Sequence, residues 1–188
     1  MASIQTTRTI ASFSLAAVMA AVSFASMAAD VMVGGAPMMA SKDIIDNAVN
    51  SKDHTTLVAA VKAAGLVDTL KSAGPFTVFA PTNAAFAALP AGTVDTLLKP
   101  ENKGTLTTVL TYHVVAGKFD AAAISKMIMD GKGMATLKTV SGGTLTAKAS
   151  GGKVMVTDEK GGTANVTIAD VYQSNGVIHV VDKVLLPK

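Results

Sequence analysis

The sequence of 188 residues contains no cysteine and no tryptophan, and Arg8 is its single arginine. Without cysteine the chain has no disulfide, no thiol nucleophile and no thiolate metal ligand, so its core alone must hold the fold. The lysines are not clustered, and 15 lysines stand against 13 acidic residues once Arg8 is set aside. Because nucleic-acid interfaces depend on basic patches and on the bidentate arginine fork, this composition argues against a nucleic-acid partner.

The first 29 residues have the composition of a secretory signal. Arg8 supplies a positive n-region, residues 10–25 form an apolar run, and small residues follow at the positions that a signal peptidase reads. We expect cleavage near Ala28 or Ala29 and a secreted or periplasmic product. A membrane anchor is the alternative, but serines interrupt the run and it is short for the roughly 20 apolar residues of a span. We therefore expect no stable membrane span after signal removal.

The rest of the chain divides into a short arm and one domain. Residues 30–40 contain glycine, methionine and proline and are predicted to form a flexible N-terminal arm. Residues 41–188 begin with helical patterns, such as the i, i+3, i+4, i+7 spacing of Leu106, Val109, Leu110 and His113, which directs His113 to the core. The predicted helix N-caps are Ser41, Asn83, Thr93 and Asp120.

From Ala135 onward the composition changes to that of a β region. Threonine, valine and isoleucine dominate, and glycine-containing turns separate the strand-like runs. The predicted strands are residues 137–140, 144–149, 153–157, 164–168 and 177–181, with one earlier buried strand at 76–80. Helices with one early strand, followed by a meander and a last strand, predict an α+β fold.

Three sequence blocks occur in order within the predicted domain. The first is GPFTVFAPTNAAF at residues 74–86, the second is YHVV at residues 112–115, and the third is NGVIHVVDKVLLP at residues 175–187. In this order they resemble the fasciclin (FAS1) domain family over about residues 41–187. The resemblance implies a wedge-shaped β-sandwich of about seven strands flanked by short helices. It also implies that the early strand pairs with late ones, so that the first and third blocks lie side by side in the core.

The sequence offers little support for catalysis. His54, His113 and His179 are too far apart for any local metal-binding motif, and we expect no metal or other cofactor. His54 precedes a predicted helix and is expected to be exposed, whereas His113 is expected to be a core histidine. His179 with Asp182 could act as an acid–base pair, but Ser174 does not lie in a Gly-x-Ser-x-Gly elbow. We therefore predict that the protein is not an enzyme.

Several residues of the two signature blocks are expected to hold the fold together rather than to carry an activity. Short polar side chains at the ends of strands and helices satisfy unpaired backbone groups, and Asn-Gly is a hairpin-turn signal. These mainly structural residues are Phe79, Pro81, Thr82, Asn83, Phe86, Asn175, Gly176, His179 and Asp182.

The resemblance also suggests recognition residues. In animal members of the family, adhesion is linked to the Tyr-His pair and to an acidic motif before the last block. The matching residues here are Tyr112, His113, Asp170 and Val171, although the Glu-Pro pair that precedes the acidic motif is missing. The resemblance thus implies an exported, non-enzymatic adhesion module that contacts a cell-surface or extracellular-matrix protein or glycan.

A second interpretation is a carrier of an apolar small molecule, such as a carotenoid or a lipid. Some similar proteins hold carotenoids between the two signature blocks, and this chain has apolar side chains there, including Phe76 and Ile178. An open apolar groove between the helix after Pro81 and the Asn175-Gly176 turn would favour a carrier. A sealed, close-packed contact would favour adhesion.

Overall fold

A computed structural model describes the fold of residues 30–188. The predicted signal segment, residues 1–29, lies outside the described residues. None of the helices among residues 30–188 has the length and the apolar character that a membrane span requires. The strands are β1 (Val31–Val33), β2 (Ala36–Met38), β3 (Phe76–Pro81), β4 (Val114–Ala116), β5 (Ala135–Lys138), β6 (Thr144–Ser150), β7 (Lys153–Thr157), β8 (Thr163–Gln173) and β9 (Gly176–Val181). The helices are α1 (Ile44–Ala48), α2 (Thr55–Ala64), α3 (Val67–Lys71), α4 (Asn83–Ala87), α5 (Thr93–Leu98), α6 (Lys103–Tyr112) and α7 (Ala121–Asp130).

Seven strands form one sheet in the order β4-β3-β9-β8-β7-β6-β5. The central strands β3 and β9 are parallel, with Phe76 opposite Gly176 and Pro81 opposite Val181, and the remaining neighbours are antiparallel. The two outer strands approach each other, because the Val140 N–H donates to the Val114 carbonyl at 2.8 Å. The sheet is therefore almost closed, which leaves little unpaired edge. The α+β architecture and the side-by-side signature strands agree with the sequence-based prediction.

The central strands separate two apolar clusters. Successive side chains of a strand point to opposite faces, so Val78 and Ile178 face the helices while Phe79 and Val181 face the interior of the curved sheet. Every residue of β9 is buried. A strand covered on both faces is almost uniformly apolar, which explains the continuous apolar run of the third sequence block.

The flexible arm predicted for residues 30–40 is corrected by the structure. The segment forms the hairpin β1–β2, and Val33 and Met38 are buried in the helix-side cluster. The turn packs closely on the rest of the domain, since a Cβ on Gly34 would lie 2.5 Å from the Ser51 Oγ. The Asn47 side chain secures the end of the hairpin by bonding the backbone N–H and carbonyl of Met39 at 3.0 and 2.8 Å. Two buried side chains thus order a segment whose composition resembles a linker.

Three of the four predicted helix caps are also wrong. Asp43 rather than Ser41 caps α1, and Thr82 rather than Asn83 caps α4. Helix α5 is preceded by Gly92 and begins at Thr93, so Thr93 is not its cap. Asp120 caps α7 as predicted, and its carboxylate accepts from the Ala123 N–H at 2.7 Å. In each true side-chain cap, the accepting group lies three residues before the N–H that it satisfies.

Candidate functional site

The two signature strands meet at Phe79 and His179. Their rings stack with centroids 5.6 Å apart and an interplanar angle of 27°. The His179 Nε2 donates to the Phe119 carbonyl at 2.7 Å, and its Nδ1 accepts from the Asp170 N–H at 3.4 Å. Burial lowers the pKa of His179, although the Phe119 carbonyl partly opposes that shift. Both ring nitrogens have a hydrogen-bond partner, so the neutral His179 ring links β9 to the backbone of Phe119 and of Asp170.

Asp182 does not form the acid–base pair with His179 that the sequence suggested. Its two carboxylate oxygens accept from the backbone N–H and the side-chain amide of Asn165, at 2.8 and 2.7 Å. The contact joins the end of β9 to β8, as expected for an acceptor that satisfies backbone groups at a strand end.

Tyr112 lies entirely inside the sheet. Its hydroxyl donates to the Thr144 carbonyl at 2.8 Å and accepts from the Glu159 N–H at 3.1 Å. Gly143 lies directly against the ring, where an added Cβ would sit 2.6 Å from a ring carbon. Because no part of the side chain is exposed, Tyr112 cannot touch a partner in this conformation.

His113 is equally inaccessible and connects helix α6 to the C-terminal segment. Its Nδ1 donates to the Val109 carbonyl at 2.8 Å, while its Nε2 accepts from the Leu185 N–H at 2.9 Å. Burial lowers the pKa of His113 to about 4, despite opposing effects of the Val109 carbonyl and the charge of Asp158. The ring is therefore neutral near pH 7 and acts as a hydrogen-bonded core residue.

The expected exposure of His54 is corrected by the structure. The ring is buried where the β1–β2 turn covers the segment around Ser51, and its Nδ1 lies 2.9 Å from the Ser51 Oγ. Burial lowers the pKa of His54, with the Ala80 carbonyl acting in the opposite direction. Among residues 30–188, no three histidine, aspartate or glutamate side chains are grouped closely enough to hold a metal ion.

The signature asparagines bond distant segments together. The Asn175 Oδ1 accepts from the Ile44 N–H at 3.1 Å, and its Nδ2 donates to the carbonyls of Leu70 and Ser72 at 2.7 and 3.1 Å. Asn83 joins α4 to the segment around the start of α2, since its Oδ1 accepts from the Thr56 N–H at 3.0 Å and its Nδ2 donates to the Lys52 carbonyl at 2.8 Å. These contacts explain why an amide is needed at each position, because one side chain must both accept and donate.

The remaining signature residues contribute through packing or backbone geometry. Pro81 ends β3, and Phe86 is buried on the helix side. The two-residue hairpin loop is Ser174-Asn175, so Gly176 is already the first residue of β9. A Cβ on Gly176 would lie 2.1 Å from the Phe76 carbonyl oxygen, so only glycine fits beside β3.

The predicted Asp170-Val171 recognition pair is divided by the pleat of β8. Val171 is buried on the helix side and does not reach solvent. Asp170 has a left-handed backbone with φ of 59°, at an irregularity of the β8–β9 pairing, and its carboxylate accepts from the Ala121 N–H at 2.6 Å. Three of the four recognition candidates, Tyr112, His113 and Val171, are therefore inside the protein.

The exposed aromatic group of this region is Tyr172, which the sequence-based analysis did not select. Its side chain is 40% exposed, and the Lys118 Nζ lies 4.8 Å from the ring centroid. The hydroxyl donates to the Asp120 carboxylate at 3.3 Å. Partial burial, together with the nearby carboxylates of Asp170 and Asp120, raises the pKa of Tyr172.

We call the surface formed by Lys118, Asp120, Asp170 and Tyr172 the Tyr172 patch. Strand alternation could not have revealed it, because the β8–β9 pairing shifts register between Val166 and Val171.

A surface hollow adjoins the Tyr172 patch. It has a volume of about 270 Å³ and is lined by Pro75, Lys118, Ser174 and Asn175 among others. Lys118 belongs to both features, so the hollow and the patch form one continuous surface beside the β8–β9 turn.

The signature strands also border an apolar cavity on their helix side. Val78 and Ile178 form part of its wall, and Val33 and Met38 of the β1–β2 hairpin cover it. Its volume is about 40 Å³, whereas small-molecule pockets usually measure about 300–1,000 Å³. The described residues thus make a close-packed contact here, not the open groove that would favour a carrier.

Comparisons with known proteins agree with the three sequence blocks. A family model described as the fasciclin domain matches residues 52–187. Protein sll1483 of Synechocystis is 52% identical over 144 residues, which are 77% of this chain and 73% of that protein. The cell surface glycolipoprotein MPB83 of Mycobacterium bovis is 36% identical over 159 residues, covering 82% of this chain and 64% of that protein. A solved FAS1 domain pair from the insect cell adhesion molecule Fasciclin I superposes with a TM-score of 0.70 at 18% identity, over 77% of this chain and 51% of that one.

Proposed function

Because the chain belongs to the fasciclin domain family, we propose that it is an exported, non-enzymatic binding module that attaches to a cell-surface or matrix component. The secretory character of residues 1–29 supports export. The description of MPB83 as a cell surface protein, and of the similar insect structure as part of an adhesion molecule, supports a role at a surface. The proposed partner is a protein or a glycan of that surface.

The observation that carries this proposal is the exposed, fixed ring of Tyr172. Aromatic side chains are enriched at protein interfaces because they bury much area and have few rotatable bonds. Lys118 and Asp120 hold the ring from two sides. A side chain that is already ordered loses little conformational entropy on binding. We therefore propose the Tyr172 patch and the adjoining hollow as the contact surface.

Charge and size set the expected strength of this contact. The patch combines one ammonium with two carboxylates, so it offers both donors and acceptors to a polar partner. A single small patch gives a modest affinity, and useful attachment would come from several copies acting together on one surface.

The test uses the source organism and the full chain. A strain that lacks the gene should attach less well and form less biofilm, and the wild-type gene should restore both. Complementation with Tyr172→Ala should fail at equal amounts of exported protein. Met129→Ala is the matched control, because Met129 is 72% exposed at the other end of α7 from Asp120. Normal attachment of the deletion strain would contradict the proposed function.

The alternative, a carrier of an apolar small molecule, has one supporting observation. An apolar cavity does lie on the two signature strands, but the β1–β2 hairpin would have to move away before a carotenoid or a lipid could enter. An absorbance spectrum and a mass spectrum of protein purified from its own host test this alternative. A stoichiometric pigment or lipid would favour the carrier, and ligand-free protein is the outcome expected of the adhesion module.

A further inference from the structure

A polar surface covers the outer side of the meander formed by β5, β6, β7 and the start of β8. Alternate residues of these strands, such as Leu145, Ala147 and Val156, belong to the buried cluster inside the sheet. The intervening side chains therefore point to solvent, and none of them is buried. We call this surface the meander face, and the residues used in the argument are Thr136, Lys138, Thr146, Lys148, Thr157 and Thr163.

Four threonines form a row across the meander face. Thr136 lies opposite Thr146, and Thr146 lies opposite Thr157. The row ends at Thr163, which lies opposite Thr157 with the two hydroxyl oxygens 3.3 Å apart. Neighbouring strands are about 4.7–4.9 Å apart, so the row presents one hydroxyl at each step of that length. Because threonine is stiff at χ1, the backbone largely fixes where these hydroxyls lie.

Lysines flank the threonine row on both sides. Lys138 follows Thr136 by two residues on β5, and Lys148 follows Thr146 by two residues on β6. The two strands are antiparallel, so the lysines lie on opposite sides of the row, each about 7 Å from it along its strand. The outward side chains of β5, β6 and β7 include no aspartate or glutamate. Glu159, just after β7, accepts from a backbone N–H of β6 at 3.0 Å.

The chemistry of the meander face favours one class of partner. It has neither the aromatic nor the arginine anchors that are usual at the centre of protein interfaces and in nucleic-acid grooves. A row of fixed hydroxyls instead suits a partner that offers a hydrogen-bonding group at every short step. The ring repeat of an extended, β-linked polysaccharide is close to the spacing of neighbouring strands. Lysines on both sides of the row are complementary to carboxylates that alternate between the two edges of such a chain.

From these observations we propose that the meander face binds an acidic, β-linked polysaccharide of the polyuronate class. The sugar chain lies along the threonine row with one ring to a strand, and its carboxylates reach Lys138 and Lys148. The inference goes beyond the attachment proposed for the Tyr172 patch, because Thr163 begins β8 whereas Tyr172 lies near its other end. Each of the two surfaces can fail its own test without the other.

The test is a titration of the full exported chain with oligomannuronate, a β-linked polyuronate, monitored by calorimetry at physiological ionic strength. We expect saturable binding. A cello-oligosaccharide of equal length has the same linkage without the carboxylates, and it should bind about tenfold more weakly or worse.

Charge substitutions locate the binding site. A variant carrying both Lys138→Gln and Lys148→Gln should bind oligomannuronate about tenfold more weakly, because both partners of the carboxylates are lost. The matched control carries both Lys52→Gln and Lys126→Gln, which remove the same charge from exposed positions outside the meander face. Screening by salt limits the influence of these remote charges, so the control should change the affinity by less than about twofold.

A hydroxyl substitution tests the threonine row. Thr146→Val keeps the side-chain shape and the strand preference but removes the central hydroxyl, and binding should become about threefold weaker. Thr105→Val is the control, because Thr105 is exposed on α6 and its loss should leave binding unchanged. Thermal unfolding curves of each variant check that the fold is retained.

The proposal is overturned by the absence of saturable binding or by equal affinity for the neutral oligosaccharide. Equal losses in the two double lysine variants would overturn it as well, because the attraction would then be diffuse. So would unchanged binding to a folded Thr146→Val variant. Loss of oligomannuronate binding in Tyr172→Ala would assign the polysaccharide to the Tyr172 patch and would equally contradict the meander face.

Discussion

Phe79 and His179 occupy facing positions of two parallel strands that are 100 positions apart in the sequence, and their rings stack at 5.6 Å. The pair joins the first signature block to the third. Phe79 packs in the apolar cluster inside the sheet. His179 is hydrogen-bonded to the carbonyl of Phe119, at the α7 end of the domain.

Phe79→Ala should lower the free energy of unfolding by about 3–5 kcal/mol, because the ring has no solvent exposure and its removal leaves a cavity. Urea unfolding followed by circular dichroism measures the change. Phe119→Ala is a useful comparison, because its ring is only partly buried and a smaller loss is expected. A near-normal midpoint for Phe79→Ala would show that the core is assigned wrongly.

Asn175→Ala should lower the free energy of unfolding by about 2–3 kcal/mol, because three hydrogen bonds are lost and backbone groups of α1 and α3 lose their partner. Asn102→Ala is the matched control. It removes a single exposed bond to the Thr96 carbonyl and should cost less than about 1 kcal/mol. Equal effects of the two substitutions in urea unfolding would argue against Asn175 as the connector of these segments.

Sequence patterns predicted the central part of the fold because they report burial directly. A strand covered on both faces must be apolar throughout, and glycine pairs mark the tight turns of the meander. For this reason β3 and the strands after Ala135 were predicted, although β8 continues to Gln173, five residues beyond the predicted end. The pairing of the signature blocks followed instead from the resemblance to the fasciclin family. The burial of His113 also followed from its helical spacing with Leu106, Val109 and Leu110, although α6 ends at Tyr112 and His113 is its C-cap residue.

The errors arose where a few long-range contacts override local composition. The β1–β2 hairpin is held by Val33 and Met38 and by the distant Asn47, none of which a linker-like sequence reveals. His54 is buried because that hairpin covers it, so its exposure could not be predicted once the hairpin was missed. Tyr172 became a candidate only when the orientation of β8 was known.

Gly176→Ala should destabilise the fold strongly, because the added Cβ would lie 2.1 Å from the Phe76 carbonyl oxygen and β3 and β9 would have to separate. Overpacking of this kind costs about 1–3 kcal/mol and more where backbone must move. Gly104→Ala is the control, since it meets open space at the start of a helix and should raise stability by up to about 1 kcal/mol. Thermal unfolding of both variants gives the comparison. An unchanged midpoint of the Gly176→Ala variant would mean that β3 and β9 are less closely paired than this distance indicates.

The free energy of unfolding should fall as the pH decreases below about 6.5. The pKa of His113 is lowered from 6.5 to about 4 in the folded state, so the unfolded chain binds more protons in this range and acid favours unfolding. The contribution of His113 is complete above pH 6.5 and is lost progressively as the pH falls towards 4, amounting to about 2 kcal/mol between pH 7 and pH 5. His54 and His179 act in the same direction, because burial lowers both pKa values.

Urea unfolding at pH 7, 6 and 5 measures this dependence, and the range avoids most of the titration of ordinary carboxylates. The variant His113→Gln should be less stable at pH 7, because the Gln side chain does not reproduce both bonds of the ring, but its stability should change less between pH 7 and pH 5. A decrease as steep as that of the wild type would show that His113 does not titrate as its burial requires. Equal stability of the wild type at pH 7 and pH 5 would contradict the neutral, buried state of all three histidines.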